Sequence, residues 1–216
     1  MKDASIIYYT ANSQNPKFEE KIKQTILNNS GGIPIISVSH KPIDFGKNVC
    51  VGEVGMSEFN MLRQILIGCE EANTKYVVSA EADCLYPPDY FQFRPLKDDI
   101  CYRNDNTYII GQGRACYWKK PEGGTWCQVI NRKFYIKRLK FLLAGEPMWN
   151  AEAKRFLKEK RLKFFDGYER FTTENPCVSF KAKGGMHNYS HSERKDIETL
   201  PYWGSGKDIY NQYYEN

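Results

Sequence analysis

The chain has 216 residues, 41% hydrophobic and 14% aromatic, so it can build one globular domain and is too apolar for an intrinsically disordered protein. No apolar run approaches the roughly 20 residues that cross a bilayer, and no signal peptide is recognisable, so we expect a cytoplasmic location. Seven scattered cysteines without a CxxC pair argue against a zinc knuckle and a disulfide framework, and predict mostly buried, reduced thiols.

The net charge of +5 is unevenly distributed along the chain. Residues 114–163 contain fourteen Lys or Arg and four Glu, a local net charge of +10, which leaves the rest of the chain acidic. Such a segment is typical either of a solvated helix surface or of a surface that binds a polyanion, and the sequence leaves both interpretations open.

The first forty residues predict a strand, a helix and a second strand. Residues 5–10 are a short apolar run rich in β-branched and aromatic side chains. Asn15 and Pro16 then suit a helix cap and a first helical position, and apolar residues at every fourth position extend the helix to about residue 27. Residues 33–38 are the second strand. This order predicts a parallel sheet with a right-handed crossover.

A second helix and a third strand follow. Ser57 is placed to cap a helix that presents an apolar stripe, and residues 76–80 read as a buried strand. That strand ends abruptly in Glu81-Ala82-Asp83, and Pro87-Pro88 prevents a regular continuation. Up to about residue 95 the pattern is that of a nucleotide-binding α/β half.

The remainder, about residues 96–216, is less regular. Strands are predicted at 100–102 and 108–118, a helix at 131–144 that Gly145 ends, a basic helix at 150–160, and a strand with a loop at 171–181. Neither an internal repeat nor a low-complexity linker separates the two parts. We therefore predict a single domain over residues 1–216.

The triplet Glu81-Ala82-Asp83 is the most informative motif. Residues two apart on an extended chain point to the same side, and ligands bind beyond the carboxyl ends of parallel strands. Carboxylate oxygens there can hold a hard divalent ion, which neutralises a diphosphate. An isolated triplet of this kind is also compatible with a solvated strand end, so its neighbours decide its interpretation.

The motif order over residues 54–90 resembles that of GT-A glycosyltransferases, most closely small phage-type members of family 2. A helix ending in Gly68-Cys69-Glu70-Glu71-Ala72 leads into the strand that carries the acidic motif, and Pro87-Pro88-Asp89-Tyr90 follows it. The resemblance covers residues 4–93 and continues loosely to the end. It implies an α/β GT-A fold with a Rossmann-like, mainly parallel central sheet flanked by helices, an acceptor-side half and a C-terminal lid.

The resemblance also implies roles for individual residues in donor binding. Thr10 and Asn12 correspond to positions that grip the nucleobase. His40, after the second strand, either borders that pocket or is an ordinary surface histidine, and the surface position is favoured. The remaining implied contacts to the nucleotide, sugar or phosphates are Gly55, Ser57, Arg63, Glu81, Trp126, Lys183 (with Lys181 as its alternative) and Trp203. For Trp126 a core position is equally compatible with the sequence.

The implied cofactor is Mn²⁺ or Mg²⁺, held by Asp83 and by His187, whose preceding glycines allow close approach to a phosphate. The implied reaction is transfer of a sugar from a nucleoside diphosphate sugar, with UDP expected, to an acceptor hydroxyl. The Glu-Asp pair that supplies the base in family 2 is missing here. Glu152 and Glu146 are the candidate bases, and an inverting outcome is expected.

The acceptor is inferred from charge. Aromatic side chains interleave with the cations of residues 114–163, a pattern that suits nucleic acid, so we favour 5-hydroxymethylpyrimidine in DNA, modified in the host cytoplasm if the protein is phage-encoded. A saccharide acceptor is the alternative. Two other classes of protein were considered. A non-catalytic nucleic-acid-binding module remains open. A nucleotidyltransferase would need a Gly-rich loop with Arg and Lys after the first strand, and the sequence has no such loop there.

Overall fold

The computed structural model describes residues 3–111, 115–120, 124–152, 167–181 and 195–215. The helices are α1 (Pro16–Asn29), α2 (Glu58–Glu71), α3 (Pro88–Gln92), α4 (Arg132–Leu143) and α5 (Gly206–Tyr210). The strands are β1 (Ala4–Thr10), β2 (Ile35–Ser39), β3 (Lys47–Cys50), β4 (Tyr76–Glu81), β5 (Cys84–Leu85), β6 (Cys101–Asn104), β7 (Thr107–Gly111), β8 (Tyr117–Lys120), β9 (Gln128–Asn131), β10 (Tyr168–Phe171), β11 (Cys177–Lys181), β12 (Thr199–Leu200) and β13 (Gly204–Ser205).

Seven strands form the central sheet in the order β10-β6-β9-β4-β1-β2-β3. Neighbouring strands pair in parallel except at β9, which is antiparallel to both β4 and β6. The predicted α/β class with a mainly parallel central sheet is therefore confirmed. The chain places β2 and β3 on one side of β1 and β4 on the other, so the winding reverses between β1 and β4. Crevices that bind ligands form at the carboxyl ends of strands at such a reversal.

Helices cover both faces of this sheet because each has one apolar stripe. On one face, α1 packs through Phe18, Ile22 and Ile26. On the other face, α2 and α4 lie side by side, with Leu62 and Leu139 in a second apolar cluster. The predicted boundaries of α1, α2 and α4 agree with these helices to within two residues, because caps mark their first turns: Asn15, Ser57 and Asn131 each accept a backbone N–H of the helix that follows.

A second sheet of four strands, in the order β5-β11-β7-β8, was not predicted. It shares its apolar cluster with α1, and Phe180 of β11 meets Phe18 edge-on with ring centroids 5.1 Å apart. The strand β5 starts directly after Asp83, whose carbonyl accepts the backbone N–H of Phe180 at 2.8 Å. The turn that carries the acidic motif is therefore the junction between the two sheets.

The C-terminal tail lies against α1 and the second sheet. The hydroxyls of Tyr213 and Thr25 are 2.6 Å apart, and the ring of Tyr214 stacks on Phe18 at 5.1 Å. The indole Nε1 of Trp203 donates to the carbonyl of Pro176 at 2.6 Å. These contacts hold the segment that was predicted to form a lid.

Several sequence expectations need correction or qualification. The strand expected over 108–118 is instead the antiparallel pair β7 and β8, and the four-residue strands β3 and β9 were not predicted. The expected basic helix at 150–160 lies mostly outside the described residues, and its first residues form a turn.

All seven cysteines are free and five are buried, which confirms the prediction of mostly buried, reduced thiols. None of the described helices has the length and apolarity to span a bilayer.

Candidate functional site

A cleft of about 200 Å³ opens at the carboxyl ends of β1, β2 and β4. Three segments form its walls: the residues that follow β1, the residues that lead into α2, and the turn after β4. The sheet brings these segments together because their strands are neighbours that run in the same direction. The predicted site residues that line this cleft are Thr10, Gly55, Ser57, Glu81 and Asp83.

The end of β1 is fixed by bonds between side chains and backbone. Gln64 of α2 donates Nε2 to the carbonyls of Thr10 (2.9 Å) and Val38 (3.1 Å), so the helix is bonded to β1 and β2 at once. Asn12 has a φ of +51°, and its Oδ1 accepts the backbone N–H of Lys41 at 2.8 Å. The side chain of Asn12 therefore ties the loop after β1 to the loop after β2, and it does not line the cleft.

The acidic side chains at the end of β4 form a compact cluster. One carboxylate oxygen of Glu81, one of Asp83 and Sγ of Cys84 all lie within 4.8 Å of one another. The hydroxyl of Tyr9 donates to Oε1 of Glu81 at 2.7 Å. Burial, followed by the charge of Asp83, raises the pKa of Glu81 to about 7, against the opposing effect of the Tyr9 hydrogen bond and nearby lysines. Glu81 therefore holds or releases a proton near neutral pH.

The donor set fits a hard divalent cation bound by oxygen. The thiol of Cys84 donates to Oδ1 of Asp83 at 3.3 Å, and burial raises the pKa of this thiol well above its usual value, so it is not a thiolate ligand. Two carboxylates then remain, with positions left for phosphate oxygens and water, the arrangement that Mg²⁺ and Mn²⁺ prefer. The other predicted ligand, His187, and the predicted phosphate contact, Lys183, lie outside the described residues.

The wall in front of α2 is bonded to the loop after α4. Ser57 accepts the backbone N–H of Asn60 at 3.0 Å, and its hydroxyl donates to the carbonyl of Asn150 at 2.7 Å. Oδ1 of Asn60 accepts the backbone N–H of Asn150 at 2.8 Å. Gly55 has a φ of +80°, and a Cβ on it would lie 2.5 Å from Cβ of Ala151. This wall therefore needs glycine at 55, and Ser57 acts as a cap and as a tether.

Arg63 holds the same loop and does not line the cleft. Its Nε and Nη2 donate to the carbonyls of Met148 and Pro147, each at 3.0 Å. The loop also carries both candidate bases. Glu146 is close enough to raise the pKa of Arg63, although burial of the guanidinium lowers it more. Glu152 is exposed and lies at the end of the loop that Ser57 and Asn60 bind.

The two tryptophans assigned to donor contacts are engaged elsewhere. Trp126 is 5% exposed, lies beside Tyr86 with ring centroids 6.2 Å apart, and has the ammonium of Lys120 5.4 Å from its ring centroid. This is the core position that the sequence left open. Trp203 bonds to Pro176, and neither ring is among the described residues that line the cleft.

His40 was misjudged and Lys120 was missed. His40 was expected on the surface, but it is 3% exposed and belongs to the residues that line the cleft. Lys120 and Lys181 end β8 and β11, and their charges act on Glu81. Burial and the charge of Lys181 lower the pKa of Lys120. No local sequence signal indicates Lys120, since only the unpredicted second sheet brings it to the site.

Comparisons with known proteins place the fold. No protein-family model matches the chain, and no curated protein matches it. The inositol-1-phosphate CTP transferase from T. maritima has a TM-score of 0.51 at 12% identity, over 88% of this chain and 93% of that one. The apo-form glycosyltransferase GlyE of Streptococcus pneumoniae TIGR4 has a TM-score of 0.48 at 10% identity, over 79% of this chain and 45% of that one.

A third structure, S. aureus TarS in complex with UDP-GlcNAc, has a TM-score of 0.47 at 11% identity, over 86% of this chain and 60% of that one. The chain therefore spans less than half of GlyE, somewhat more than half of this TarS structure, and nearly the whole CTP transferase. At these identities the likeness concerns the fold alone.

Proposed function

We propose that the chain is a metal-dependent glycosyltransferase that moves a sugar from a nucleoside diphosphate sugar, with UDP as the expected nucleotide, to an acceptor hydroxyl. The observation that carries the proposal is the pair of carboxylates, Glu81 and Asp83, at the end of β4, beside the reversal of winding and inside a cleft. Paired carboxylates at this place suit a cation that in turn binds a diphosphate.

In this proposal the residues of the chain bind and orient the donor. Asp83 and Glu81 would hold Mn²⁺ or Mg²⁺, and Tyr9 fixes the orientation of Glu81 through its hydroxyl. A divalent cation bound there would offset the charge that develops on the departing diphosphate. Lys120 and Lys181 add positive charge on the same side. Lys183 and His187 stay proposed contacts to the phosphates and the cation.

The proposed base is Glu152, with Glu146 as the second candidate. It would take the proton of the acceptor hydroxyl as that oxygen attacks the anomeric carbon, with inversion as the expected outcome. The loop that carries both residues is bonded to the wall of the cleft, which supports this role. Glu152 is favoured because its side chain is exposed, whereas Glu146 lies beside Arg63.

The proposed acceptor is 5-hydroxymethylpyrimidine in DNA. The outer surface of α4 supports it, because this helix exposes Lys133, Lys137 and Lys140 together with the ring of Phe141. Cations that follow phosphates and an exposed ring suit nucleic acid. A saccharide acceptor is the alternative, in which case aromatic side chains would stack on sugar rings.

The decisive test is release of nucleoside diphosphate from UDP- and GDP-sugars, measured with and without Mn²⁺ before any acceptor is known. We expect slow, Mn²⁺-dependent hydrolysis of the preferred donor. Replacing Asp83 by Asn should lower this rate by at least about 100-fold, because the diphosphate loses its charge compensation. The matched control is Asp98→Asn, which removes a carboxylate near the opposite ends of the strands and should leave the rate unchanged.

Two other classes give different results in the same assay. A nucleotidyltransferase, suggested by the fold of the CTP transferase, would release pyrophosphate from CTP or UTP in the presence of a sugar phosphate and would leave UDP-sugars intact. A non-catalytic nucleic-acid-binding module would bind DNA and release nothing. Wild-type activity that survives Asp83→Asn would contradict the proposed role of the acidic cluster.

A further inference from the structure

The strands β4 and β9 separate just before the acidic motif. They pair at only three positions, the last of which is Val78 opposite Val129. Continuing this antiparallel register would place Glu81 opposite Trp126. On its other side, β4 stays paired with β1 as far as Glu81. Within the described part of the chain, the end of β4 that carries the acidic motif therefore has a strand partner on one side only.

The hydroxyl of Tyr86 occupies the place of the missing strand contact. It accepts the backbone N–H of Glu81 at 3.0 Å and donates to the carbonyl of Trp126 at 2.8 Å. A single hydroxyl therefore bridges the two residues that the register would pair directly. Because Tyr86 is 0% exposed, water does not compete for either of these bonds.

Tyr90 fills the same gap one step closer to the paired strands. Its hydroxyl lies 2.9 Å from the carbonyl of Ser79 and 3.1 Å from the carbonyl of Gln128, two residues that the same register would also pair. The rings of Tyr86 and Tyr90 stack with centroids 5.0 Å apart, and both are fully buried. The two tyrosines are therefore closely matched, but of the two only Tyr86 bonds to a residue of the acidic motif.

The bond from Tyr86 completes a set of contacts that hold the acidic motif in place. The hydroxyl of Tyr9 holds the carboxylate of Glu81, and the backbone N–H of Phe180 holds the carbonyl of Asp83. Fixing the N–H of Glu81 fixes the point from which its side chain extends toward Asp83. Ligands that are already positioned bind a cation more tightly, because less ordering accompanies binding.

We propose that Tyr86 is a positioning residue for the divalent cation, which acts through the backbone of Glu81. This inference rests on the proposed function, which makes Glu81 and Asp83 the ligands of the cation. It requires that a cation binds there, but it does not require sugar transfer. The carboxylates bind the cation, and Tyr86 sets the position of one of them without touching the cation itself.

The test is Mn²⁺ binding, measured from the electron paramagnetic resonance signal of the free ion, with and without UDP. Tyr86→Phe should weaken Mn²⁺ binding about 10- to 100-fold, the usual effect of removing a group that orients a metal ligand. Tyr90→Phe is the matched control, because it removes the same hydroxyl from the adjacent buried ring, and it should leave the affinity for Mn²⁺ unchanged. Urea unfolding should show that both variants lose stability, since each leaves a buried carbonyl without its donor.

Replacement of Tyr86 by 4-aminophenylalanine separates the two bonds of the hydroxyl. The amino group still donates to the carbonyl of Trp126, but its lone pair is delocalised into the ring and accepts the N–H of Glu81 poorly. Stability should therefore stay closer to wild type than in Tyr86→Phe, while Mn²⁺ binding weakens about 3- to 10-fold. This protein keeps the test decisive if Tyr86→Phe does not fold, and an unchanged affinity for Mn²⁺ would overturn the inference.

The failure of this inference differs from the failure of the proposed function. Affinities for Mn²⁺ that fall equally in Tyr86→Phe and Tyr90→Phe, or in neither, overturn the inference even if sugar transfer is observed. Weakening confined to changes at Tyr86, in a protein that releases no nucleoside diphosphate, supports the inference and contradicts the proposed reaction. Wild-type protein that binds no Mn²⁺ in either condition, or binding that Asp83→Asn leaves unchanged, overturns both.

Discussion

At the scale of single residues, opposing effects act on the pKa of Glu81, and those that raise it are larger. Burial and Asp83 disfavour its charge, while the hydroxyl of Tyr9 and two lysines favour it, and the net result is a pKa of about 7. A carboxyl group with an ordinary pKa of 4.5 therefore carries a proton in the folded protein over a range of pH where the unfolded chain has lost it.

The raised pKa of Glu81 predicts how the free energy of unfolding depends on pH when no divalent cation is bound. Because the folded state holds the extra proton, its stabilising effect is present below pH 4.5 and is lost as pH rises through 7. The expected loss is about 1 to 3 kcal/mol. Urea unfolding in EDTA at several pH values measures it, and Glu81→Gln should flatten the slope. Glu20→Gln, on the exposed side of α1, should leave the slope intact, and a slope that survives Glu81→Gln would contradict this account.

The sequence predicted the residues at this scale unevenly. Asp83 and Glu81 could be found because they follow an apolar strand directly, so their direction depends only on local backbone geometry. His40 has the same kind of position after β2, yet it is only 3% exposed, and no local pattern reveals that burial. Arg63 suits a phosphate contact by position, but the carbonyls of a distant loop occupy its guanidinium.

At the scale of elements, the segment before α2 and the loop after α4 act as one unit. Ser57 and Asn60 bond to Asn150, and Gly55 allows Ala151 to approach because it has no Cβ. The predicted helix start at Ser57 follows from its capping hydroxyl, which is a local signal. The contact between the loop after α4 and the first turn of α2 joins distant parts of the chain, so no local pattern predicts it. The candidate bases on that loop, Glu146 and Glu152, were therefore proposed only through the resemblance.

This close approach predicts a compensating pair of substitutions. Gly52→Ala should cost about 1 kcal/mol, since Gly52 also has a φ of +80° but open space around it. Gly55→Ala should cost about 2 to 4 kcal/mol and weaken nucleotide binding, because strain and overlap with Ala151 add. Adding Ala151→Gly to Gly55→Ala should return the cost to that of Gly52→Ala. Urea denaturation measures all four proteins, and the absence of any rescue would contradict the contact.

At the scale of the whole molecule, some of the described cations of the basic segment, residues 114–163, are already engaged by other groups of the protein. The helix α4 runs beside α2, and the ammonium of Lys140 already lies 2.7 Å from a carboxylate oxygen of Glu70. Arg132 donates Nε to the carbonyl of Thr74 at 2.9 Å. The cations that remain exposed on this helix include Lys133 and Lys137, and they define the surface on which the proposed acceptor depends.

The DNA proposal therefore makes a prediction about salt. Replacing Lys133 and Lys137 together by Gln should weaken binding to duplex DNA and reduce the slope of log affinity against log salt by up to about 2. The control is the double variant Lys17→Gln and Lys195→Gln, which changes the net charge equally at other exposed positions. Fluorescence anisotropy between low and physiological salt measures both. Identical slopes for the two variants would favour the saccharide acceptor.

The strands β1, β2 and β4 of the central sheet were predictable because strand, helix and strand patterns repeat with short connections over the first 80 residues. The second sheet was not, because its strands are two to five residues long and are brought together from distant parts of the chain. The position of Lys120 depends on that sheet, so the sequence could not place this lysine near the site.

The bond between the carbonyl of Asp83 and the amide of Phe180 has a practical consequence for protein engineering. A chimaera that exchanges the second half for that of a relative would usually be cut after the first unit of alternating strands and helices. Here such a cut, at about residue 95, would separate the acidic turn and β5 from β11, which pairs with β5 and bonds to the turn. A graft that retains function should therefore carry β5 and β11 together with the turn, even though nearly a hundred residues separate them along the chain.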